Sequence, residues 1–301
     1  MTASATLEFD GRPSAARYML RGAWPVRRTR DLAPQIVARW RGHRADPEDL
    51  GAFARATGLP AGRCLSILYP HVVGFRLSMA VLTHPAFPVP IWGVVQTRNH
   101  LLCRRPIDAG ERLDFETCVA ASRVLDKGLE VDLGCTVRVG SEPVWSGLTT
   151  FYARGRFGAP GDQSPLARPV GEAGEPGTPA ASWAMSDDAH YRFGRLTGDY
   201  NGIHFWDWYA RRFRFRRALY HPSRVLGQCL ARLAEPPPAM QRLDAWLKGP
   251  VAHGASVELC ARRADDGATD FWLFAGEPRP CMIGRWGTAS AGDLSTVWKG
   301  A

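Results

Sequence analysis

The sequence predicts an α+β fold in which the same plan is used twice: a central apolar helix followed by antiparallel strands. Three observations carry this. A segment rich in Gly and Pro divides the chain near its midpoint, each side holds one apolar stretch entered through a proline, and strands of alternating pattern follow each stretch. A helix with an apolar stripe must bury it, and a sheet curved around that helix does so economically.

In the first half the helix is expected over residues 68–82, entered through Pro70. Proline suits the start of a helix because its missing N–H would have no partner there. Strand-like segments follow at 107–115, 129–139 and 144–152, with Gly140 and Ser141 as the turn before the last. Residues 158–179 carry repeated Gly and Pro and few large apolar side chains, so they read as a linker. The division is an N-terminal domain at 1–158, a linker at 159–181 and a C-terminal domain at 182–301. In the second half the helix is expected over 219–233, entered through Pro222. Its stripe is Val225, Leu226, Cys229, Leu230 and Leu233, and the prolines at 236–238 stop it. Segments 251–259, 269–274 and 281–286 are the strands that follow.

Composition excludes several classes. The chain has 301 residues, 45% hydrophobic and 22% charged, as in a folded globular protein. No run reaches the roughly 18 apolar residues that cross a bilayer, and the most apolar stretch, 72–82, carries Arg76. The first ten residues lack a basic region followed by an apolar core, so no secretory signal is expected. Seven scattered cysteines, none spaced as CxxC, argue against a disulfide framework or zinc site and for a reducing cytoplasm. The net charge of +9 comes almost wholly from arginine, with Lys127, Lys248 and Lys299 the only lysines. It reads either as a solvated basic surface or as attraction to an anionic partner. No nucleic-acid-binding motif accompanies it. No nucleophile elbow, dinucleotide fingerprint or P-loop is present.

The chemistry is expected between Leu196 and His204. A helix over 186–198 would be capped by Ser186, with Asp187 and Asp188 in its first turn and Gly198 as its stop. Asp199, Asn201 and His204 then share a tight loop with Gly202. An ionised Asp accepts only, while a neutral His has one donor and one acceptor. Together they could polarise a water and move its proton. Alone, the same spacing fits an Asp that merely caps backbone N–H groups.

The surrounding residues decide between these. The run Leu196-Thr197-Gly198-Asp199-Tyr200-Asn201-Gly202-Ile203-His204, followed by Ala218-Leu219-Tyr220-His221, resembles the MaoC-like (R)-specific enoyl-CoA hydratases and 3-hydroxyacyl dehydratases. Tyr69-Pro70-His71, Trp92 to Asn99 and Asp108 to Glu111 are similar, more loosely, to the first half of double-length members. The resemblance implies a double hotdog of two antiparallel sheets, each wrapped around its central helix. It implies reversible syn hydration of trans-2-enoyl thioesters to (3R)-3-hydroxyacyl thioesters. Asp199 and His204 would be catalytic, with Asn201, Gly198 and His221 supporting the loop and site. The substrate would be an acyl-CoA or acyl carrier protein thioester, with no other cofactor and no metal. No nucleic acid or membrane insertion is expected, and a homodimer is compatible.

Three positions depart from the family pattern. Gly202 replaces a proline, and Gln96 stands where the first half often has His. Pro222 replaces the glycine whose N–H would serve the thioester oxygen, and proline has no N–H. Ser223 is the expected substitute, being in the same first turn. Arg211, Arg212, Arg214, Arg216 and Arg217 form either a solvated loop with two buried Phe or a grip on the phosphates of CoA or a carrier arm. Trp206 and Trp208 are expected in the core or pocket wall. Two alternatives to a hydratase are a hotdog acyl thioesterase and a non-catalytic acyl-thioester-binding protein.

Overall fold

The computed structural model describes residues 4–24, 31–169, 176–186, 188, 190–233 and 239–290. The prolines at 236–238 and Asp187 lie outside them. The elements of the first half are β1 (Ser4–Phe9), α1 (Ala15–Ala23), β2 (Gln35–His43), α2 (Pro47–Thr57), α3 (Leu68–Leu82), β3 (Val94–Cys103), β4 (Leu113–Leu125), β5 (Gly128–Val139) and β6 (Glu142–Arg154). Those of the second are β7 (Thr178–Ala184), α4 (His190–Thr197), α5 (Asp207–Arg211), α6 (Pro222–Leu230), β8 (Gln241–Leu247), β9 (Ser256–Arg263), β10 (Thr269–Phe274) and β11 (Met282–Thr288).

Both central helices form where expected. Every residue of α3 is buried, and it packs against β2, β4 and β5. That burial follows from its composition: twelve of its fifteen residues lack a charged or hydroxyl group, so almost no face prefers water. α6 is shorter than expected, starting at Pro222 with His221 as its N-cap. Its stripe residues Val225, Leu226, Cys229 and Leu230 are buried as read. The strands begin after the turn glycines at 110 and 254 rather than before them.

The sheet is continuous instead of two separate sheets. Its order is β1-β2-β4-β5-β6-β3-β8-β11-β10-β9-β7. The seam is β3 against β8, antiparallel from Arg98 opposite Trp246 to Cys103 opposite Gln241. Each is an edge strand of its own half, and the unpaired N–H and C=O groups of two edges satisfy one another by pairing. A buried His100–Asp244 contact at 2.8 Å ties the seam on one face. One pair departs from the antiparallel rule: β1 lies parallel to β2. β2 precedes the helix and was not expected, although Ile36, Ala38 and Trp40 bury alternately, the pattern of a strand with one face on the core. The last residues of the linker, from Thr178, already pair in β7. Among the described residues, no helix is long and apolar enough to cross a membrane.

Candidate active site

The helix before the loop starts later than the sequence suggests. α4 begins at His190, four residues after Ser186, whose hydroxyl donates to the Asp188 carboxylate at 2.5 Å and lies 3.1 Å from the Tyr220 hydroxyl. Its end is as read. Gly198 adopts φ +70° and its N–H donates to Gly194 O at 2.7 Å. Arg76, the charge inside apolar α3, reaches this end. It donates to Leu196 O at 3.2 Å, to Pro13 O at 2.8 Å and to Arg195 O. A cation at a helix C-terminus answers both the dipole and the unpaired carbonyls. Thus the N-terminal half holds the point from which the loop departs.

The loop is a ladder of local hydrogen bonds. Thr197 Oγ1 accepts from Asp199 N–H at 3.1 Å, Asp199 Oδ1 from Asn201 N–H at 2.9 Å, and Asn201 Oδ1 from Ile203 N–H at 3.3 Å. Such side-chain-to-backbone turns need only short-range geometry. They leave Asp199 Oδ2 free for chemistry. It lies 3.5 Å from His204 Nε2 and 3.4 Å from His221 Nε2.

The hydrogen bonds of the far ring nitrogens set the tautomers. His204 Nδ1 lies 3.0 Å from Leu219 O, so it carries a hydrogen, because a carbonyl can only accept. His221 Nδ1 accepts from Ser223 N–H at 3.4 Å, so the neutral ring carries its hydrogen on Nε2, facing Asp199. Burial opposes the charged form of Asp199, but the two imidazoles outweigh it and hold its carboxyl well below the usual carboxylate range. Burial also opposes charge on His204. There the Asp199 carboxylate, with the Leu219 carbonyl, wins and raises the imidazole above its ordinary value. His221 goes the other way: burial dominates, and its pKa falls despite Asp199. One carboxylate thus sits between an imidazole inclined to be charged and one inclined to be neutral.

These groups line one part of a cavity of about 430 Å³. Phe75 and Met79 of α3 and Phe151 of β6 supply wall from the N-terminal half, and Leu219 and Val225 from the C-terminal half. The volume and the apolar lining with a few convergent polar groups suit a small-molecule site. Asp199, His204 and His221 also present ligand atoms within 4.8 Å of one another, a donor set that could hold a metal ion. With Nδ1 accepting from Ser223, however, neutral His221 turns an N–H and not a lone pair to that point.

Several sequence expectations change here. Ser223 is fully buried and does not line the cavity; its hydroxyl lies 3.0 Å from His71 Nε2 and its N–H serves His221. It is therefore no donor to a bound oxygen, because α6 turns both of its polar groups inward. Pro222 does line the cavity and, as expected, brings no N–H. Trp206 and Trp208 are 43% and 56% exposed, so they are not core. They stack on each other at 6.0 Å, with Arg212 over Trp208. Arg211, Arg212, Arg214, Arg216 and Arg217 are all exposed and none lines the cavity. Between them Phe215 reaches the cavity, while Phe213 is 39% exposed, so the loop does not bury two phenylalanines. Lys248, which the sequence reading does not place at the site, also lines the cavity. Its only sequence signal is its rarity in an arginine-rich chain.

No protein-family model matches the chain. Among curated proteins, 3-hydroxyacyl-thioester dehydratase X of Mycobacterium tuberculosis is 28% identical over 258 residues, which is 85% of this chain and 91% of that protein. The crystal structure of HtdX from Mycobacterium tuberculosis matches with a TM-score of 0.70 and 25% identity, covering 83% of this chain and 98% of that one. A MaoC-like dehydratase from Phytophthora capsici also gives a TM-score of 0.70, at 18% identity, over 87% of this chain and 98% of the other. At that identity the last likeness speaks for the fold alone. The resemblance read from residues 196–221 is thus matched by similarity along most of the chain.

Proposed function

We infer that this chain is a MaoC-like hydro-lyase that interconverts trans-2-enoyl and (3R)-3-hydroxyacyl thioesters. The observation that carries the reading is the meeting of Asp199 Oδ2 with His204 Nε2 and His221 Nε2 beside a largely apolar cavity. The similarity to 3-hydroxyacyl-thioester dehydratase X supports it. The architecture we propose is a double hotdog. Its halves, residues 1–158 and 182–301, wrap around α3 and α6, share the β3–β8 seam and are joined by the linker at 159–181.

In the hydration direction, a water sits between Asp199 Oδ2 and His204 Nε2. Asp199 accepts one proton as the water oxygen bonds to C3. The electrons of the C2–C3 double bond move toward the thioester oxygen, and the imidazolium of His204 delivers its Nε2 proton to C2 on the same face. Asp199 then returns its proton to His204, which balances the cycle. His221 donates to Asp199 and holds it in line, and Asn201 braces the loop. No cofactor is needed beyond the carrier arm of the substrate. The thioester oxygen lacks the N–H that Pro222 removes, and loss of one such donor typically costs about 10²–10³ in rate. A slow hydratase is expected.

The test is hydration of crotonyl-CoA and of longer trans-2-enoyl-CoA substrates, followed by loss of the enoyl absorbance. Formation of the (3R)-hydroxyacyl product supports the reading; no turnover with any chain length overturns it.

The pH dependence follows from His204. Its pKa is raised above 6.5, so the imidazolium, the form that donates, is complete below that value and lost as pH rises through the raised one. Asp199 is lowered below 3.8, so its carboxylate persists through the weakly acid range. The value of kcat/KM for hydration is therefore expected to be flat around pH 6 and to fall at higher pH by about tenfold per pH unit. A rate that instead rises through this range would reverse the roles assigned to His204.

We also propose that the five arginines at the end of α5 and in the loop after it meet the phosphates of CoA or of a phosphopantetheine arm at the cavity mouth. Their exposure and the charge of +9 support this. Replacing Arg211, Arg212 and Arg214 together by Gln is expected to raise KM for an enoyl-CoA roughly three- to tenfold, with kcat unchanged, and to flatten its salt dependence. An unchanged KM would return these residues to the role of a solvated loop.

A further inference from the structure

Behind the loop, a line of buried side chains crosses from one half of the chain to the other. His71 lies in the first turn of α3 and Ser223 in the first turn of α6. His71 Nε2 is 3.0 Å from Ser223 Oγ, and both residues are buried. Ser223 N–H donates to His221 Nδ1, and His221 Nε2 faces Asp199 Oδ2. Phe75 stands edge-on to the His221 ring at 5.3 Å, and Phe193 lies at 5.3 Å, so aromatic rings from α3 and α4 flank the imidazole.

The capping arrangement has a chemical consequence. A helix N-cap usually offers a hydroxyl, amide or carboxylate oxygen to the first-turn N–H groups. Here the acceptor is an imidazole nitrogen. An imidazole that accepts at Nδ1 must, when neutral, carry its hydrogen at Nε2. The cap of α6 therefore selects the tautomer that donates to Asp199. His71 stands behind the cap: burial, with the nearby His221, pushes its imidazole down to about 3, so it pairs with the Ser223 hydroxyl as a neutral ring. The capping bond is long at 3.4 Å and so weak. The His71 contact is made through the serine hydroxyl, and it fixes against α3 the residue that supplies the capping N–H.

We propose that His71 and Ser223 are positioning residues, through which the N-terminal half sets the tautomer and angle of His221 and so the orientation of the Asp199 carboxylate. Neither lines the cavity, so neither is catalytic in the sense of touching substrate. The proposal rests on the hydratase reading for its kinetic consequence but not for its structural one. It gives the half that lacks a catalytic loop a direct part in the site.

The experiment compares wild type with His71→Leu, His71→Gln and Ser223→Ala. Two readouts are used: steady-state hydration of an enoyl-CoA, and the ring ¹⁵N shifts of His221 by NMR. Loss of second-layer support typically costs about 10- to 100-fold. His71→Leu and Ser223→Ala are expected to lower kcat by roughly that factor with KM little changed, and His71→Gln, which keeps a hydrogen-bonding group, to recover most of it. The wild-type His221 is expected to show the Nε2–H tautomer; both damaging variants keep the capping N–H of residue 223 but loosen it, so their ring ¹⁵N shifts are expected to move toward the average of the two tautomers. A His221 tautomer unchanged in folded Ser223→Ala, or a kcat equal to that of wild type, would overturn the proposal. Ser223→Ala removes a single oxygen and keeps the test alive if His71→Leu does not fold. A wild type that hydrates nothing would sink the hydratase reading alone, since the tautomer measurement would still decide the positioning role.

Discussion

Asp199→Asn is expected to lower kcat for enoyl-CoA hydration by about 10²–10⁴, the usual contribution of a general acid–base group. The substitution keeps the shape of the side chain. Its carbonyl oxygen can still accept from Asn201 N–H, now 2.9 Å from Oδ1, so the loop has no reason to unfold. What changes is the atom facing the two imidazoles. The amide nitrogen replaces Oδ2, which lies 3.4 Å from the Nε2 of His221, where that ring presents its own N–H. Two donors then face each other. The loss of the negative charge acts a second time, because Asp199 is what raises the pKa of His204 against the effect of burial. Base and acid are therefore impaired together. Steady-state kinetics with a melting curve on the same preparation checks this. A variant retaining more than a tenth of wild-type kcat would remove Asp199 from the role of base.

Gly198→Ala is expected to destabilise the chain by roughly 2–4 kcal/mol and to depress activity with it. Two causes add. Gly198 has φ +70°, a region that costs an L-residue about 1–2 kcal/mol. The added Cβ would also lie 1.8 Å from the Tyr18 hydroxyl and 3.0 Å from Arg76 Cγ. Tyr18 donates to Gly198 O at 2.8 Å, and Arg76 gathers the last carbonyls of α4, so neither can withdraw without stranding a buried polar group. The melting temperature is expected to fall on the order of 10 °C, at about 2–4 °C per kcal/mol. The kcat of the folded fraction is expected to fall as well, because Asp199 follows directly. A melting temperature within about 2 °C of wild type would show that α1 and α3 yield at this point, contrary to their packing.

Much of the loop was legible because its order is local. Thr197, Asp199 and Asn201 each accept from a backbone N–H two residues on, and Gly198 closes α4 onto Gly194. Such contacts are written in adjacent residue types. The start of α4 was less legible, because the Ser186 hydroxyl has other partners: it donates to the Asp188 carboxylate at 2.5 Å and meets the Tyr220 hydroxyl, far along the chain, at 3.1 Å. The exposure of Trp206 and Trp208 was hidden for a similar reason. Large aromatics are usually buried, and only the placement of α5 on the surface leaves these two, its N-cap and second residue, exposed.

By itself, the sequence determined the two apolar helices, the strands that follow each, and the tight loop from Asp199 to His204. Each rests on periodicity or on contacts a few residues apart. Tertiary structure alone decided the continuous sheet, since two strand edges pair only when the halves meet. It decided the place of Ser223, withdrawn from the cavity and held against His71, 152 residues away. It also decided the two partners of Asp199: His204, which its charge helps to protonate, and His221, which burial keeps neutral. A proton's place on an imidazole depends on what surrounds both nitrogens, and no spacing in a sequence specifies that.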